Sequence, residues 1–287
     1  TKTRMTFEGA GDFEPNNHGG RNFHFGIREH AMGAAVNGMA LAKLRPFGSG
    51  FLIFSDYMRN PIRLSAIMQL PALYIFTHDS IGVGEDGPTH QPVEHLVSLR
   101  AIPGLLVFRP ADANEVAETW RYVAQLKREP AVLVLSRQAL PTVDRSQTAP
   151  ASEITKGAYV LVDSEGALDV ILIATGSEVG LALSARDELA AAGVGARVVS
   201  MPCSELFDRQ PQAYKDDVLP PSVKARVAIE QASTLGWHRY VGDGGAIVGM
   251  HTFGASAPLK MLVEKFGFTP DAVAQIARER VAAARDN

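Results

Sequence analysis

The sequence has 287 residues, 46% of them hydrophobic and 21% charged, ordinary globular usage that excludes a disordered chain. Its 28 Lys and Arg against 31 Asp and Glu leave a net charge of −3, which excludes a broad basic footprint for nucleic acid or an anionic membrane. The single cysteine, Cys203, excludes an internal disulfide and a cysteine-built metal cage, and points to a reducing, cytoplasmic setting. The longest apolar runs, such as residues 170–174, fall far short of the ~20 residues that span a bilayer.

Residues 1–22 carry Gly9, Gly11, Gly19 and Gly20 and read as a loop. The chain opens on Thr1 rather than Met and is expected to belong to something longer. From residue 23 onward, apolar strands alternate with helix-length segments. Strands are predicted at 23–25, 47–54, 72–77, 105–108 and 131–135. Helices are predicted at 28–43, 57–69, 92–99 and 114–127. The helix at 28–43 is apolar nearly all round, so burial on all sides is expected, with Gly33 and Gly38 admitting close neighbours. Met58, Ile62 and Ala66 give the next helix one apolar face, and Pro92 suits a first helical turn. Residues 139–152, rich in Pro, Ser, Thr, Gln and Asp, read as a linker.

Alternation then resumes. Strands are predicted at 170–174, 196–201, 223–230 and 246–251, and helices at 178–192, 237–241 and 270–285. Ser177 is a candidate N-cap and Gly193 a stop. The pattern specifies an α/β fold of two domains, each a mainly parallel sheet flanked by helices. The divisions are expected at residues 1–140, a linker at 141–155, and 156–287. In such sheets ligands gather beyond the carboxyl ends of the strands.

Chemistry-bearing residues cluster there. Thr77-His-Asp-Ser-Ile-Gly-Val-Gly-Glu-Asp-Gly-Pro-Thr-His-Gln-Pro92 packs two histidines and three carboxylates into an irregular, glycine-rich loop. Histidine exchanges protons near neutrality, and a nearby carboxylate can orient it. No spacing in the loop matches a zinc motif, so no metal ligand is assigned. Gly26-Ile-Arg-Glu29-His30 puts a carboxylate where a helix begins. It could satisfy helix N–H groups or meet a ligand nitrogen. Phe51, Phe54 and Tyr57, spaced by three, form either core or a wall for a flat heterocycle. Arg137 leaves a buried strand and calls for an anion, either a surface carboxylate or a phosphate. Thr175-Gly-Ser-Glu178 opens a helix after a strand. It reads as a simple cap or, more weakly, a phosphate site.

Together the first four clusters resemble transketolase. The run from Thr77 to Pro92 is similar to the family signature nearly residue for residue. It comes in order with Ile27-Arg-Glu29, Phe51-x-x-Phe54-x-x-Tyr57 and Leu135-Ser-Arg-Gln138. Ile173-Ala-Thr-Gly-Ser-Glu-Val179, Ala196-Arg-Val-Val-Ser-Met-Pro202 and Gly245-Ala-Ile-Val-Gly-Met250 extend the likeness over almost the whole chain.

The resemblance implies a pyrimidine-binding domain lacking its first strand, followed by the family's C-terminal domain. It implies transfer of a two-carbon ketol unit from a ketose phosphate to an aldose phosphate in the pentose phosphate pathway, with thiamine diphosphate and a divalent metal (Mg or Ca). By resemblance Glu29 meets N1′ of the cofactor and favours its imino tautomer, and Phe51, Phe54 and Tyr57 cradle the aminopyrimidine. His78 and Arg137 serve the sugar's terminal phosphate or its surroundings, Asp86 its C2 hydroxyl, and His90 the hydroxyls near the reacting carbons, His90 joining Glu29 among catalytic residues.

The family's diphosphate grip, a Gly-Asp-Gly…Asn motif with several histidines, is not found. Gly242-Asp-Gly244 lies in the second domain and reads as a turn. The diphosphate domain and the metal would come from elsewhere in a longer chain or from a separate subunit, within a homodimer. Deoxyxylulose-phosphate synthase and the oxo-acid dehydrogenase β subunit share the Glu and the domain order but fit the loop less well. A fragment acting only in dimerisation or metabolite binding is the alternative outside catalysis.

Overall fold

The structure is a computed structural model and describes residues 8–285. The expected loop at residues 1–22 falls partly outside them. The elements run α1 (Glu29–Leu41), β1 (Phe47–Phe51), α2 (Ser55–Ile67), β2 (Leu73–Thr77), α3 (His95–Arg100), β3 (Leu106–Phe108), α4 (Ala113–Val123) and β4 (Ala131–Val134). There follow β5 (Tyr159–Val162), β6 (Val170–Ala174), α5 (Glu178–Ala191), β7 (Ala196–Ser200), α6 (Ser204–Asp208), α7 (Gln212–Val218), β8 (Arg226–Ser233), α8 (His238–Val241), β9 (Ala246–Met250), α9 (Leu259–Lys265) and α10 (Pro270–Arg285).

The first sheet has the order β1-β2-β4-β3 and is parallel throughout. The second has the order β5-β7-β6-β8-β9, parallel except for the antiparallel edge strand β5. Strand alternation sends side chains to two faces, and three apolar clusters result. Tyr74 and Phe76 pack with Val36, Met58, Ile62 and Leu96 of α1, α2 and α3. Ile171 and Ile173 pack with Phe207, Trp237 and Tyr240. Between the sheets, Ile75, Phe108 and Leu133 share one core with Leu172, Val198, Val179 and Val273. One apolar cluster thus runs from the first sheet into the second.

Several boundaries differ from the expected ones for physical reasons. Residues 23–25 are not a strand. Among the described residues they find no ladder partner and instead join a ring stack, with Phe13 on Phe23 at 4.6 Å. β1 stops at Phe51, where a 3-10 turn at Leu52–Phe54 leads into α2. Pro92 precedes α3 rather than starting it. The linker region ends in a 3-10 turn at Ala151–Lys156, and β5 follows it, a four-residue strand too short to stand out in the sequence.

The burial expected all round α1 is a single face. Gly33, Val36, Asn37 and Ala40 are buried, whereas Ala31, Ala34, Gly38 and Leu41 are exposed, because α2 covers one side only. A Cβ on Gly33 would stand 2.7 Å from both Met58 and Pro61, so glycine is required for that approach; nothing lies within 4 Å of a Cβ on Gly38. Asn37 locks the packing by donating to the Pro61 carbonyl at 2.8 Å and accepting from the Tyr74 hydroxyl at 2.8 Å.

Candidate active site

β1 and β2 pair in register with Phe51 beside Thr77. The residues just past both strand ends therefore meet at one sheet edge. The Phe51 ring stacks on the imidazole of His78 with centroids 3.7 Å apart. Phe54 lies 6.0 Å from Phe51 and nearly parallel to it, Tyr57 lies 6.4 Å further on, and His90 meets Phe54 edge-on at 5.7 Å. Phe51 and Phe54 are half-buried and Tyr57 is 66% exposed. The stripe is therefore an open aromatic face and not core.

Both histidines in the cluster follow a threonine, and both are held by it. Thr77 Oγ1 bonds His78 Nδ1 at 2.9 Å, and Thr89 Oγ1 bonds His90 Nδ1 at 3.0 Å. Each imidazole is thereby oriented through one nitrogen, and among the described residues no hydrogen bond engages the other. His78 adopts φ 63°, a left-handed conformation that a non-glycine residue holds only when its surroundings impose it. Burial lowers the His78 pKa, and the Arg137 guanidinium lowers it further, against the opposing pull of Asp86 and Asp79. Arg137, Asp86 and His90 thus stand close enough to His78 to act on its charge.

Arg137 is exposed and makes no ion pair among the described residues, so the surface-carboxylate alternative is not realised. Glu29 occupies the first turn of α1, half-buried, and no hydrogen bond or ion pair reaches its carboxylate among the described residues. It does not cap its own helix. It is also not joined to the ring cluster by any hydrogen bond or ring contact. The structure thus gathers His78, Asp86, His90, Arg137, Phe51, Phe54 and Tyr57 at one edge and leaves Glu29 as a separate, unpartnered acid. Clefts between Ser164 and Ala196 and between Val97 and Tyr240 lie away from this edge.

The loop owes its shape to the second sheet's domain. Gln91 is buried and donates to the carbonyls of Gly84 at 2.8 Å and Ala255 at 2.9 Å. The backbone at Gly254 presses on the same side chain, since a Cβ there would sit 1.7 Å from Gln91 Oε1. Asp79, counted with the loop's carboxylates, is withdrawn from it. Its Oδ2 accepts from Arg109 at 2.8–2.9 Å, deep between the two sheets.

Arg109 is fully buried and also bonds Glu178 and the Thr175 carbonyl, with Glu230 at 3.9 Å. Glu230 in turn holds Arg100 through two 2.8 Å bonds and accepts from Trp237 at 2.9 Å. Burial raises the Glu178 pKa against the pull of Arg109; for Glu230 the two arginines prevail over burial and lower it. The Thr175-Gly-Ser-Glu178 turn puts Ser177 at the N-cap position of α5, without a side-chain capping bond. It wraps Arg109, and Gly176, at φ 58°, stands where a Cβ would lie 2.7 Å from the guanidinium.

A second buried knot joins the linker. Glu115 accepts from Tyr159 at 2.6 Å, Ser200 at 2.7 Å and the Ala111 N–H at 2.8 Å, while Arg145 holds Asp112 at 3.2 Å. Sequence reasoning missed these residues. The one available signal was an arginine directly after the buried strand Leu106–Phe108.

The chain is similar to proteins of known kind over nearly its whole length. Residues 3–143 match the profile described as "Transketolase, pyrimidine binding domain", and residues 157–269 match "Transketolase-like TK C-terminal domain". Transketolase of Aquifex aeolicus is 52% identical over 265 residues, covering 92% of this chain and 38% of the relative. That of a Nostoc species is 48% identical over 284 residues, covering 97% and 42%. The chain thus spans about two fifths of the length of the curated relatives it matches. Among solved structures, transketolase from Leishmania mexicana superposes with TM-score 0.90 at 43% identity, covering 95% of this chain and 39% of that one. A transketolase from Pichia stipitis in complex with xylulose 5-phosphate superposes with TM-score 0.92 at 39% identity, covering 99% and 42%. A chain of a split-gene transketolase, described as an inactive beta4 tetramer, shares the fold with TM-score 0.76 at 24% identity over 87% of its length. With both profiles matched in order on the two sheets described above, the chain belongs to the transketolase family and carries its pyrimidine-binding and C-terminal domains.

Proposed function

We propose that this chain supplies the pyrimidine-side half of a thiamine-diphosphate site. In the whole protein, that site moves a two-carbon ketol unit from a ketose phosphate to an aldose phosphate. The family is thiamine-diphosphate dependent. When bound, the cofactor supplies the carbon that attacks the ketose carbonyl. The residues present fit only one end of it. The open aromatic face suits the aminopyrimidine ring, and the unpartnered Glu29 carboxylate suits a ring nitrogen. Gly242-Asp-Gly244, the only Gly-Asp-Gly, is a turn after α8 and suits neither a diphosphate nor its metal. Those would be held by a diphosphate-binding domain, in the same longer polypeptide or in a separate subunit, within a cytoplasmic homodimer of the pentose phosphate pathway. The divisions at residues 1–140, 141–155 and 156–287 belong to the same reading.

The roles follow from chemistry. Glu29 holds a proton at the ring nitrogen it meets. Phe51, Phe54 and Tyr57 exclude water from one face of the ring. His78 and His90, each fixed through Nδ1, present Nε2 to sugar hydroxyls or phosphate. Asp86 accepts from a hydroxyl, and Arg137 offers two parallel N–H donors to a phosphate. A His78 held neutral by burial and by Arg137 donates or accepts without competing for the phosphate charge.

The observation that carries this reading is the gathering of His78, Asp86, His90 and Arg137 beside Phe51 and Phe54. Steady-state kinetics of the complete protein with an Arg137→Ala substitution test it. Losing a hydrogen bond to a charged group costs about 1.5–3 kcal/mol. KM for phosphorylated sugars should therefore rise roughly 10- to 150-fold, with little change for unphosphorylated analogues. Equal effects on both, or no turnover when the diphosphate-binding partner is supplied, would overturn the assignment.

A further inference from the structure

Asp56, Glu94 and His95 take no part in the ketol transfer proposed above. We infer that these three side chains form a binding site for a divalent transition-metal ion of the zinc type, joining the start of α2 to the start of α3. Asp56 lies in the first turn of α2; Glu94 and His95 are the N-cap and first residue of α3. One donor atom from each residue lies within 4.8 Å of the others. His95 is only 2% exposed, yet neither of its ring nitrogens has a hydrogen-bond partner among the described residues. A buried imidazole with both nitrogens unsatisfied is a costly arrangement. Two carboxylates lie beside it as charge partners, and a cation among them would satisfy a ring nitrogen as well.

The spacing identifies the partner. His95 Nε2 stands 3.2 Å from Asp56 Oδ2 without hydrogen-bonding geometry. Two ligands at zinc distances of about 2.0–2.1 Å, set tetrahedrally, are separated by about 3.3 Å. The pair is thus placed as two donors on one ion. Glu94 Oε2 lies 3.9 Å from His95 Nδ1, and its side chain is 58% exposed, so it can turn onto an ion with no change in the backbone. One imidazole with two carboxylates, leaving a position for water, suits zinc and its neighbours; magnesium and calcium favour oxygen-only sets. Asp56 directly precedes Tyr57, and Glu94 follows the His90 loop. An ion here would fasten the outer edge of the aromatic face to the loop's exit.

The test is titration of the full chain, stripped with a chelator, using Zn2+ for stoichiometry and Co2+ for its visible spectrum. One equivalent is expected, with the absorption of a four-coordinate Co2+ site. His95→Ala and Asp56→Asn should each weaken binding by more than about tenfold, since even residues behind a metal's direct ligands are worth that much. Glu94→Gln should have a smaller effect, with far-UV circular dichroism unchanged. Asp56→Asn, at an exposed position, keeps the test decisive if His95→Ala disturbs packing. No saturable binding, as a simple imidazolium–carboxylate pair would give, or binding that survives Asp56→Asn and Glu94→Gln, overturns the proposal. Because the readout is ion binding to the chain alone, it stands or falls separately from ketol transfer.

Discussion

Replacing Arg109 with Met probes the joint between the two sheets. Arg109 is fully buried, bonded to Asp79 at 2.8–2.9 Å and to Glu178, with Glu230 at 3.9 Å. Glu230 keeps its paired bonds to Arg100 in the variant. Asp79 and Glu178, both almost wholly buried, would be left without a cation. Removing one member of a buried ion pair costs about 3–5 kcal/mol. At about 2–4 °C per kcal/mol for chains of a few hundred residues, the thermal midpoint should fall by roughly 6–20 °C.

The loss should depend on pH in a stated direction. Without the guanidinium, nothing offsets the burial that raises Glu178, so its carboxyl titrates higher in the folded chain than in the unfolded one. The folded state then binds the extra proton, so that part of the deficit is full above the folded value and shrinks as pH falls through it. Adding Asp79→Asn and Glu178→Gln should recover at least half of the loss, because a fully neutral buried cluster is far less costly than a broken ionic one. Thermal and urea unfolding of the full chain, followed by circular dichroism from pH 5 to 8, measures all three effects. A shift under about 0.5 kcal/mol for Arg109→Met, or a deficit that grows as pH falls, would refute the reasoning.

The His78 ring resonances should titrate below the ordinary histidine range. Arg137→Met should move the midpoint up and Asp86→Asn should move it down, by the signs of the two charges; opposite movements in an NMR titration would show that these groups do not face His78. Since the folded value lies below the unfolded one, His78 contributes stability above the ordinary range that is lost as pH falls through its folded value. Gly254→Ala forces a Cβ to within 1.7 Å of Gln91 Oε1 unless something shifts. It should lower stability by about 1–3 kcal/mol and speed amide exchange across residues 78–91, whereas unchanged exchange there would mean that the second domain does not brace the loop.

Much of the fold was legible because buried parallel strands announce themselves as apolar runs. β2, β4, β6 and β7 fall within a residue or so of their expected places. β5 and α6, α7 and α9 were not legible, being short and set among polar residues. The solvent-facing side of α1 could not be read either, since an apolar sequence does not say whether its cover lies within the same chain. The aromatic stripe, the two Thr-His pairs and Arg137 were legible as local motifs. The Arg109 network was not: its bonded pairs are separated by 30 to 130 positions in sequence, and only the packing of one domain on the other brings them together. The same packing turned Asp79 from a candidate site acid into an interdomain anchor. His95, Asp56 and Glu94 escaped for a similar reason, their donors coming from two helices rather than from one spaced motif.

The most direct test of the central claim, that Glu29 acts on the ring of a bound thiamine cofactor, is deuterium exchange at the thiazolium C2 position. It is measured by quenched NMR in the complete protein, loaded with thiamine diphosphate, with Glu29 and with Glu29→Gln. If Glu29 holds the ring proton, exchange in the variant should slow by about 100-fold or more while the cofactor stays bound. Exchange at the unsubstituted rate with Glu29→Gln and cofactor in place would contradict the claim.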